Sequence, residues 1–466
     1  MDAQMNVVQP PLMRVNMNLE AALERLFALL RIPSVSTKAA HAADCRAAAE
    51  WLREELTTIG FDASVRDTPG HPIVVGHAKG PEGAPHVLFY GHYDVQPVDP
   101  LSLWATPPFE PRLSENAAGV KEIVARGASD DKGQVMTFVE ACRALRETDG
   151  GLPVSVTIVI EGEEESGGAN LLPFLLANRD ELQADLALIC DTGMLDARTP
   201  AITTMLRGMV GEEVVITAAD RDLHSGMFGN AARNPIQVLC DIISDLRDPA
   251  TGRVTLSCFY DGVPDMRESV REQWRALGPT DAESLGAVGL SQAAGEVGYT
   301  ALEQTWCRPS CEINGISGGY EEDGFKTVLP ARASAKISFR LVGDQDPDAV
   351  RAAFRAHVRA RLPVDCSAEF IAHGGSRASV VPEDLPALKP ALQALTDEWG
   401  TQAAVIGCGG SIPVVSELKQ ALGIDSLLIG FALDDDRVHS PNEKYSLTSF
   451  HKGIRSWVRV LQALSA

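Results

Sequence analysis

The stretch Val154-Ser155-Val156-Thr157-Ile158-Val159-Ile160-Glu161-Gly162-Glu163-Glu164-Glu165-Ser166-Gly167-Gly168 decides the fold. Val154–Ile160 is the longest apolar run in the chain and suits a buried strand. Four acids follow it within five residues. A solvated charge run is the ordinary reading of such a cluster. This one stands at the mouth of a buried strand, where gathered carboxylates are costly unless something positive neutralises them.

Outward from that strand, the same texture repeats. Pro72–Val75, Val87–Tyr90, Leu186–Cys190 and Leu427–Phe431 read as further buried strands, and Asp44–Thr57, Gln134–Leu145, Ala387–Trp399 and Leu447–Ser465 as helices. Leu19, Leu23, Leu26, Phe27 and Leu30 keep helical spacing and stop before Pro33. The first 16 or so residues read as a loose lead-in. Strand–helix alternation of this kind predicts an α/β layer with a mainly parallel sheet flanked by helices. Near Arg207 the texture changes. Glu213–Ala218 and Ala333–Val342 alternate like half-buried strands, and Asn234–Leu246 and Asp346–Arg361 read as helices. Pro264–Gly298 reads as irregular insertion. The expected organisation is an α/β catalytic domain made of residues 1–206 and 376–466, interrupted by a smaller α+β domain at 207–375.

Composition narrows the function classes. The chain has 466 residues and a formal net charge of −22, which disfavours binding to nucleic acid or anionic lipid through the overall field. No secretory signal and no membrane-length apolar run is visible. Nine cysteines, an odd number scattered through a large chain, favour reduced thiols and a cytoplasmic location. Cys307 and Cys311 read as unlinked core thiols, since no second cysteine pair accompanies them.

Chemistry-bearing residues collect where strands end. Gly91-His92-Tyr93-Asp94 puts His92 and Asp94 on one face of an extended backbone. Ser129-Asp130-Asp131-Lys132-Gly133 places two acids at the entry to a helix, where an N-cap is an equal reading. Cys190-Asp191 ends another strand, and Val438-His439-Ser440-Pro441-Asn442-Glu443 carries a further histidine. A His/Asp/Glu/Asp/His set without thiolates suits zinc, manganese or cobalt in a catalytic site. An acid beside a ligand acid would serve as base for a metal-bound water.

These motifs in this order resemble the two-zinc metallopeptidase family of carnosinase-type dipeptidases, aminoacylases, succinyl-diaminopimelate desuccinylase and glutamate carboxypeptidase. The resemblance spans nearly the whole chain through YGHYDVQP, WATPPFEP, RGASDDKG, EGEEESGG, DLHSGMFG, KTVLP, SFRLV, GGSIP and VHSPNE. DLHSGMFG, KTVLP and GGSIPV are most similar to the dipeptidase branch. The resemblance implies two divalent metal ions: Asp130 bridging both, His92 and Asp191 completing one site, Glu165 and His439 the other. It implies that Asp94 orients His92, that Glu164 is the general base, and that the Asp130–Asp131 peptide is cis. It makes the inserted domain a lid and dimerisation domain. His224 would stabilise the oxyanion, and Thr327 contact substrate, across a homodimer. Arg340, His373, Gly410 and Ser411 would face the substrate, with Arg340 clamping its terminal carboxylate. Ile406-Gly407-Cys408 departs from relatives, which often carry Arg and Glu there. The implied reaction is hydrolysis of a peptide bond in dipeptides or short peptides; an N-acyl-amino-acid amidohydrolase or a carboxypeptidase would use the same site. A serine nucleophile at Ser129-x-x-Lys132 finds no downstream Lys-Thr-Gly.

Overall fold

The computed structural model of the chain describes residues 2–148, 150–277, 279–286, 288–382, 384–410 and 412–465. They fall into two compact units: Met1–Thr204 with Val381–Ile406 and Glu417–Ala466, and Met205–Val380 with Gly407–Ser416. Residues 407–416 thus group with the second unit, although in sequence they lie inside the C-terminal α/β segment.

In the first unit one mixed sheet runs in the order Asp62–Arg66, Ile73–Ala78, Ser155–Glu161, His86–His92, Leu186–Ile189, Ser426–Leu428, Ala201–Leu206. Its four central strands are parallel. The strands toward both edges run antiparallel. The central strands are apolar almost throughout because helices cover them. Register matters most here. His92 pairs with Glu161 and Tyr90 with Ile189, so the residues after each strand emerge together at one sheet edge.

The helices Asp2–Leu30, Lys132–Arg146 and Leu447–Leu464 pack on one another. Phe89 stacks on Phe138 at 3.8 Å between centroids, and Trp457 meets both rings edge-on at 5.9 and 5.3 Å. The Trp457 indole N–H donates to Thr137 Oγ1 at 3.1 Å, so no polar atom of that ring is stranded. Trp457→Ala is expected to cost about 3–5 kcal/mol, read as a lowered midpoint in chemical denaturation, because the rigid aromatic neighbours cannot collapse into the space.

The N-terminal segment corrects the expectation of a loose lead-in. Asp2–Leu30 is one helix that runs through Pro10 and Pro11. Leu12 and Val15 are buried. Arg455 donates to the Leu12 carbonyl at 3.4 Å and to Asn16 Oδ1 at 2.9 Å. Packing on neighbouring helices outweighs the local proline signal.

The second unit is a four-stranded antiparallel sheet, ordered Ser310–Gly318, Arg332–Leu341, Gly208–Thr217, Ser367–Ser376. Helices Pro235–Ser244 and Pro347–Arg361 pack on it. Val210, Val214, Ala335, Ile337 and Phe339 form a core with Leu239, Ile242, Phe354 and Val358. The two outer strands escape the sequence reading because most of their residues are exposed and apolar alternation is confined to short pieces such as Ala368 and Phe370. The insertion is not wholly irregular either. It holds helices Glu268–Leu277 and Asp281–Gly286, anchored by a buried Trp274 set edge-on to Trp306 at 4.9 Å. No helix among the described residues is long and apolar enough to cross a membrane. None of the nine cysteines is in a disulfide.

Candidate metal centre and substrate contacts

The sheet edge of the first unit gathers every metal-type residue picked out in the sequence. His92 ends the His86–His92 strand and is fully buried. Its Nδ1 lies 3.1 Å from the Asp94 carbonyl oxygen and 3.4 Å from Asp94 Oδ1. Its Nε2 is buried without a hydrogen-bond partner, 3.1 Å from Asp130 Oδ1 and 3.9 Å from Asp191 Oδ2. A buried imidazole nitrogen left unpaired beside two carboxylates is costly unless a cation takes its lone pair.

The second cluster shares Asp130. His439 Nε2 lies 2.9 Å from Asp130 Oδ2 and 3.1 Å from Glu165 Oε2. Each trio, His92/Asp130/Asp191 and Asp130/Glu165/His439, offers ligand atoms within 4.8 Å of one another. Imidazole and carboxylate donors in sets of three, with no thiolate, fit two divalent ions of the zinc, manganese or cobalt type.

The electrostatics fit a cation-binding cluster. Burial pushes the Asp191 carboxyl well up, and the nearby Asp130 and Asp131 charges add to it. Burial likewise raises Glu164, helped by Glu165, Asp130 and Asp94 against the opposing pull of His92. Contacts with Asp130 and Glu165 push the His439 imidazole up to about 10. Burial opposes ionisation of Asp130, yet His439 and His92 outweigh it and hold that carboxyl low. Bound cations would supply the positive charge that these clustered carboxylates call for.

Local structure explains how these groups are held. Lys132–Arg146 begins immediately after Asp131. Gly133 is required where the loop turns, because a Cβ would lie 1.9 Å from the Ala128 carbonyl oxygen. The Asp130–Asp131 peptide is cis, as the resemblance implies. Glu165 lies in the short 3₁₀ turn Glu164–Ser166, with its amide donating to Asp94 Oδ2 at 3.1 Å and its carboxylate accepting from Gln96 Nε2 at 2.8 Å. His439 has φ +61°, and Arg437 and Asn442 are also left-handed. Such backbones cost about 1–3 kcal/mol each and persist where surroundings over-determine them. Here Asn442 donates to the Leu103 carbonyl at 2.8 Å and accepts from the Ala105 amide at 2.7 Å. Asp436 accepts from Ser129 Oγ and the Leu433 amide, both at 2.8 Å.

One supporting residue lay unread inside the VHSPNE motif. The buried Glu443 carboxylate accepts from Arg126 Nη1 at 2.8 Å and from the amides of Gly127, Ser129 and Asp130 at 2.9, 2.9 and 3.1 Å. It ties the loop that presents Asp130 to the loop that presents His439. An acid directly after a proline-asparagine turn carries no local sign of that role.

The remaining expected residues lie in the second unit. His224 and Thr327 are brought together: Leu223–His224 pairs with Val328–Leu329, and the Ser225 amide donates to the Thr327 carbonyl at 3.0 Å. Both side chains are exposed. Arg340 and His373 sit on different strands, paired with Met209 and Gly211 of the strand between them. They therefore share the sheet face opposite the buried core. His373 Nε2 is 3.6 Å from Glu213 Oε2. The Gly410 carbonyl accepts from the Arg207 amide at 3.2 Å. Ser411 lies outside the described residues.

Comparisons with known proteins identify the family of the chain. The profile of peptidase family M20/M25/M40 matches residues 88–463. The Cys-Gly metallodipeptidase DUG1 of Candida albicans is 29% identical over 455 residues, covering 93% of this chain and 92% of that protein. The cysteinylglycine-S-conjugate dipeptidase of Corynebacterium striatum is 30% identical over 446 residues, covering 93% and 94%. Among solved structures, the M20 family metallo-carboxypeptidase Sso-CP2 from Sulfolobus solfataricus superposes with a TM-score of 0.80 at 31% identity, covering 95% of this chain and 99% of that one. With a family match over most of its length and relatives covered almost end to end, the chain belongs to peptidase family M20/M25/M40.

Proposed function

We propose that the chain hydrolyses the peptide bond of dipeptides or short peptides at a two-metal centre. The observation that carries this reading is the pair of ligand trios sharing Asp130, with the half-buried acid Glu164 next to the ligand Glu165. In this reading His92 and Asp191 with Asp130 hold one divalent ion, and Glu165 and His439 with Asp130 hold the other. Zinc, manganese and cobalt all suit the donor set. Bound ions would polarise the scissile carbonyl and lower the pKa of the attacking water. Asp94 fixes the imidazole of His92 through Nδ1, which leaves Nε2 as the donor. Glu164 accepts the proton of the attacking water and returns it to the leaving amine. Its raised proton affinity, from burial and neighbouring carboxylates, suits a base working near neutral pH. Arg340 holds the terminal carboxylate with charge-assisted hydrogen bonds, alongside His373, Gly410 and Ser411.

In the same reading His224 and Thr327 serve the site of a second copy in a homodimer, His224 stabilising the oxyanion. Support comes from the short ladder that carries His224 and is flanked by Thr327, both of them exposed. If so, Glu164→Ala and His224→Ala variants, each inactive alone, regain activity on mixing and subunit exchange, up to about a quarter of wild type for random pairing. No recovery after exchange is verified by mass would remove His224 from a shared site. We further propose that the first unit is the catalytic domain and the second the lid and dimerisation domain. A cytoplasmic location accords with nine cysteines and no disulfide.

The relatives named as dipeptidases favour dipeptides. The similarity to a metallo-carboxypeptidase supports a second reading, removal of a C-terminal residue from N-blocked or longer peptides. Rates on free-amine dipeptides, their N-acylated forms and tripeptides separate the two. The dipeptidase reading expects kcat/KM at least about tenfold higher on the free dipeptide. Equal or faster cleavage of the N-acylated forms would replace it with the carboxypeptidase or amidohydrolase reading.

A further inference from the structure

A cavity of about 440 Å³ lies wholly within the second unit, in the size range of small-molecule sites. Four arginines line it, Arg207, Arg247, Arg308 and Arg340, against two acids, Glu296 and Glu312. On a chain of net charge −22 this is a local excess of positive charge. Glu296 adds little to offset it, because its carboxylate is already engaged by Arg308 at 3.2 and 2.9 Å and by Arg253 at 3.2 Å. Arg207 is fixed in place: Nε donates to the Gly409 carbonyl at 3.0 Å, and Nη1 lies 3.4 Å from the Arg308 carbonyl and 3.5 Å from that of Gln304. Arg247 Nε donates to the Gly252 carbonyl at 3.2 Å, which steadies its guanidinium in the wall. Burial, then the charge of Arg340, bring the Arg207 guanidinium down to about 10, against the opposing pull of Cys408 and Glu312. Two cations that strain each other in a half-buried wall are relieved by an anion.

We propose that this cavity takes a ligand with two carboxylates, so that the chain favours dipeptides ending in Asp or Glu, with Arg340 on the terminal carboxylate and Arg207 and Arg247 on the acidic side chain. The inference rests on reading Arg340 as the terminal clamp and extends it to the identity of the last residue. Planar guanidinium forks suit carboxylate recognition.

Calorimetry on the metal-free full chain with Gly-Glu and Gly-Gln tests this, since the two ligands match in size and differ in charge. Gly-Glu is expected to bind about tenfold tighter or more. The preference should shrink to under about threefold in Arg247→Gln, and in Cys408→Glu, which sets a carboxylate in the segment that Arg207 grips. It should persist in Cys408→Gln. Arg207→Gln is the less informative variant, because Arg207 also holds the backbone around it. Equal affinity for the two dipeptides, no binding of either up to about 10 mM, or a preference untouched by both charge-changing variants would overturn the proposal. The metal-loaded chain separates this from the peptidase reading. A binding preference for Gly-Glu with neither dipeptide cleaved would sink the peptidase and leave the cavity. Cleavage of both, with no preference in binding, would do the reverse.

Discussion

Glu164→Gln lowers kcat on a dipeptide by about 10³-fold, the range that a positioned general base supplies, and leaves metal content unchanged. The amide has the carboxylate's size but cannot accept the proton. It also removes one negative charge from a cluster in which burial and the neighbouring Glu165, Asp130 and Asp94 already penalise ionisation, so the fold should not suffer. Glu165→Gln should behave differently although it is one residue away. Glu165 faces His439 at 3.1 Å and belongs to a ligand trio, so its replacement costs metal first and activity as a consequence. Adjacent residues of a 3₁₀ turn point in different directions, which lets neighbours hold separate roles. Saturation kinetics together with elemental analysis decide the matter. A Glu164→Gln enzyme within tenfold of wild-type kcat, or one that has lost an ion, would remove Glu164 as the base.

What could be read from the residues alone was the chemistry at strand ends, for a physical reason. Parallel strands must deliver their carboxyl ends to one edge, so His92, the Glu161–Ser166 turn and Asp191 converge once the strands are recognised. The supports of that edge were not readable. Glu443 reaches back to amides more than 300 residues earlier, and nothing local to it signals this. The first half of the helix Asp2–Leu30 was hidden by two prolines that the burial of Leu12 and Val15 overrides. The outer strands of the second unit are mostly exposed and alternate only over short pieces, so pairing with their neighbours is what reveals them. Residues 407–416 group with a unit distant in sequence, a matter of long-range packing that no window of sequence records.

Asp130→Asn should remove both ions together and lower activity by at least about 10³-fold, whereas His92→Ala should weaken one site more than the other. The difference follows from geometry. Asp130 Oδ1 faces His92 Nε2 at 3.1 Å and Oδ2 faces His439 Nε2 at 2.9 Å, so one carboxylate serves both trios. Asparagine keeps a single acceptor oxygen and no charge. The same substitution makes a second, independent readout available. Burial pushes the carboxyls of Glu161 up to about 8 and Asp131 up to about 7. Acids raised in this way hold more protons folded than unfolded, so their contribution to stability falls as pH climbs from about 4 to about 8. Bound cations favour the ionised forms and oppose that fall. Wild-type chain stripped of metal should therefore lose melting temperature between pH 5.5 and pH 8, and recover it when zinc is returned. Asp130→Asn should lose it over the same window and recover little, because it cannot rebind the ions. An Asp130→Asn chain that keeps two ions, or whose melting temperature at pH 8 is restored by zinc as fully as that of wild type, would show that the two trios do not depend on a shared carboxylate.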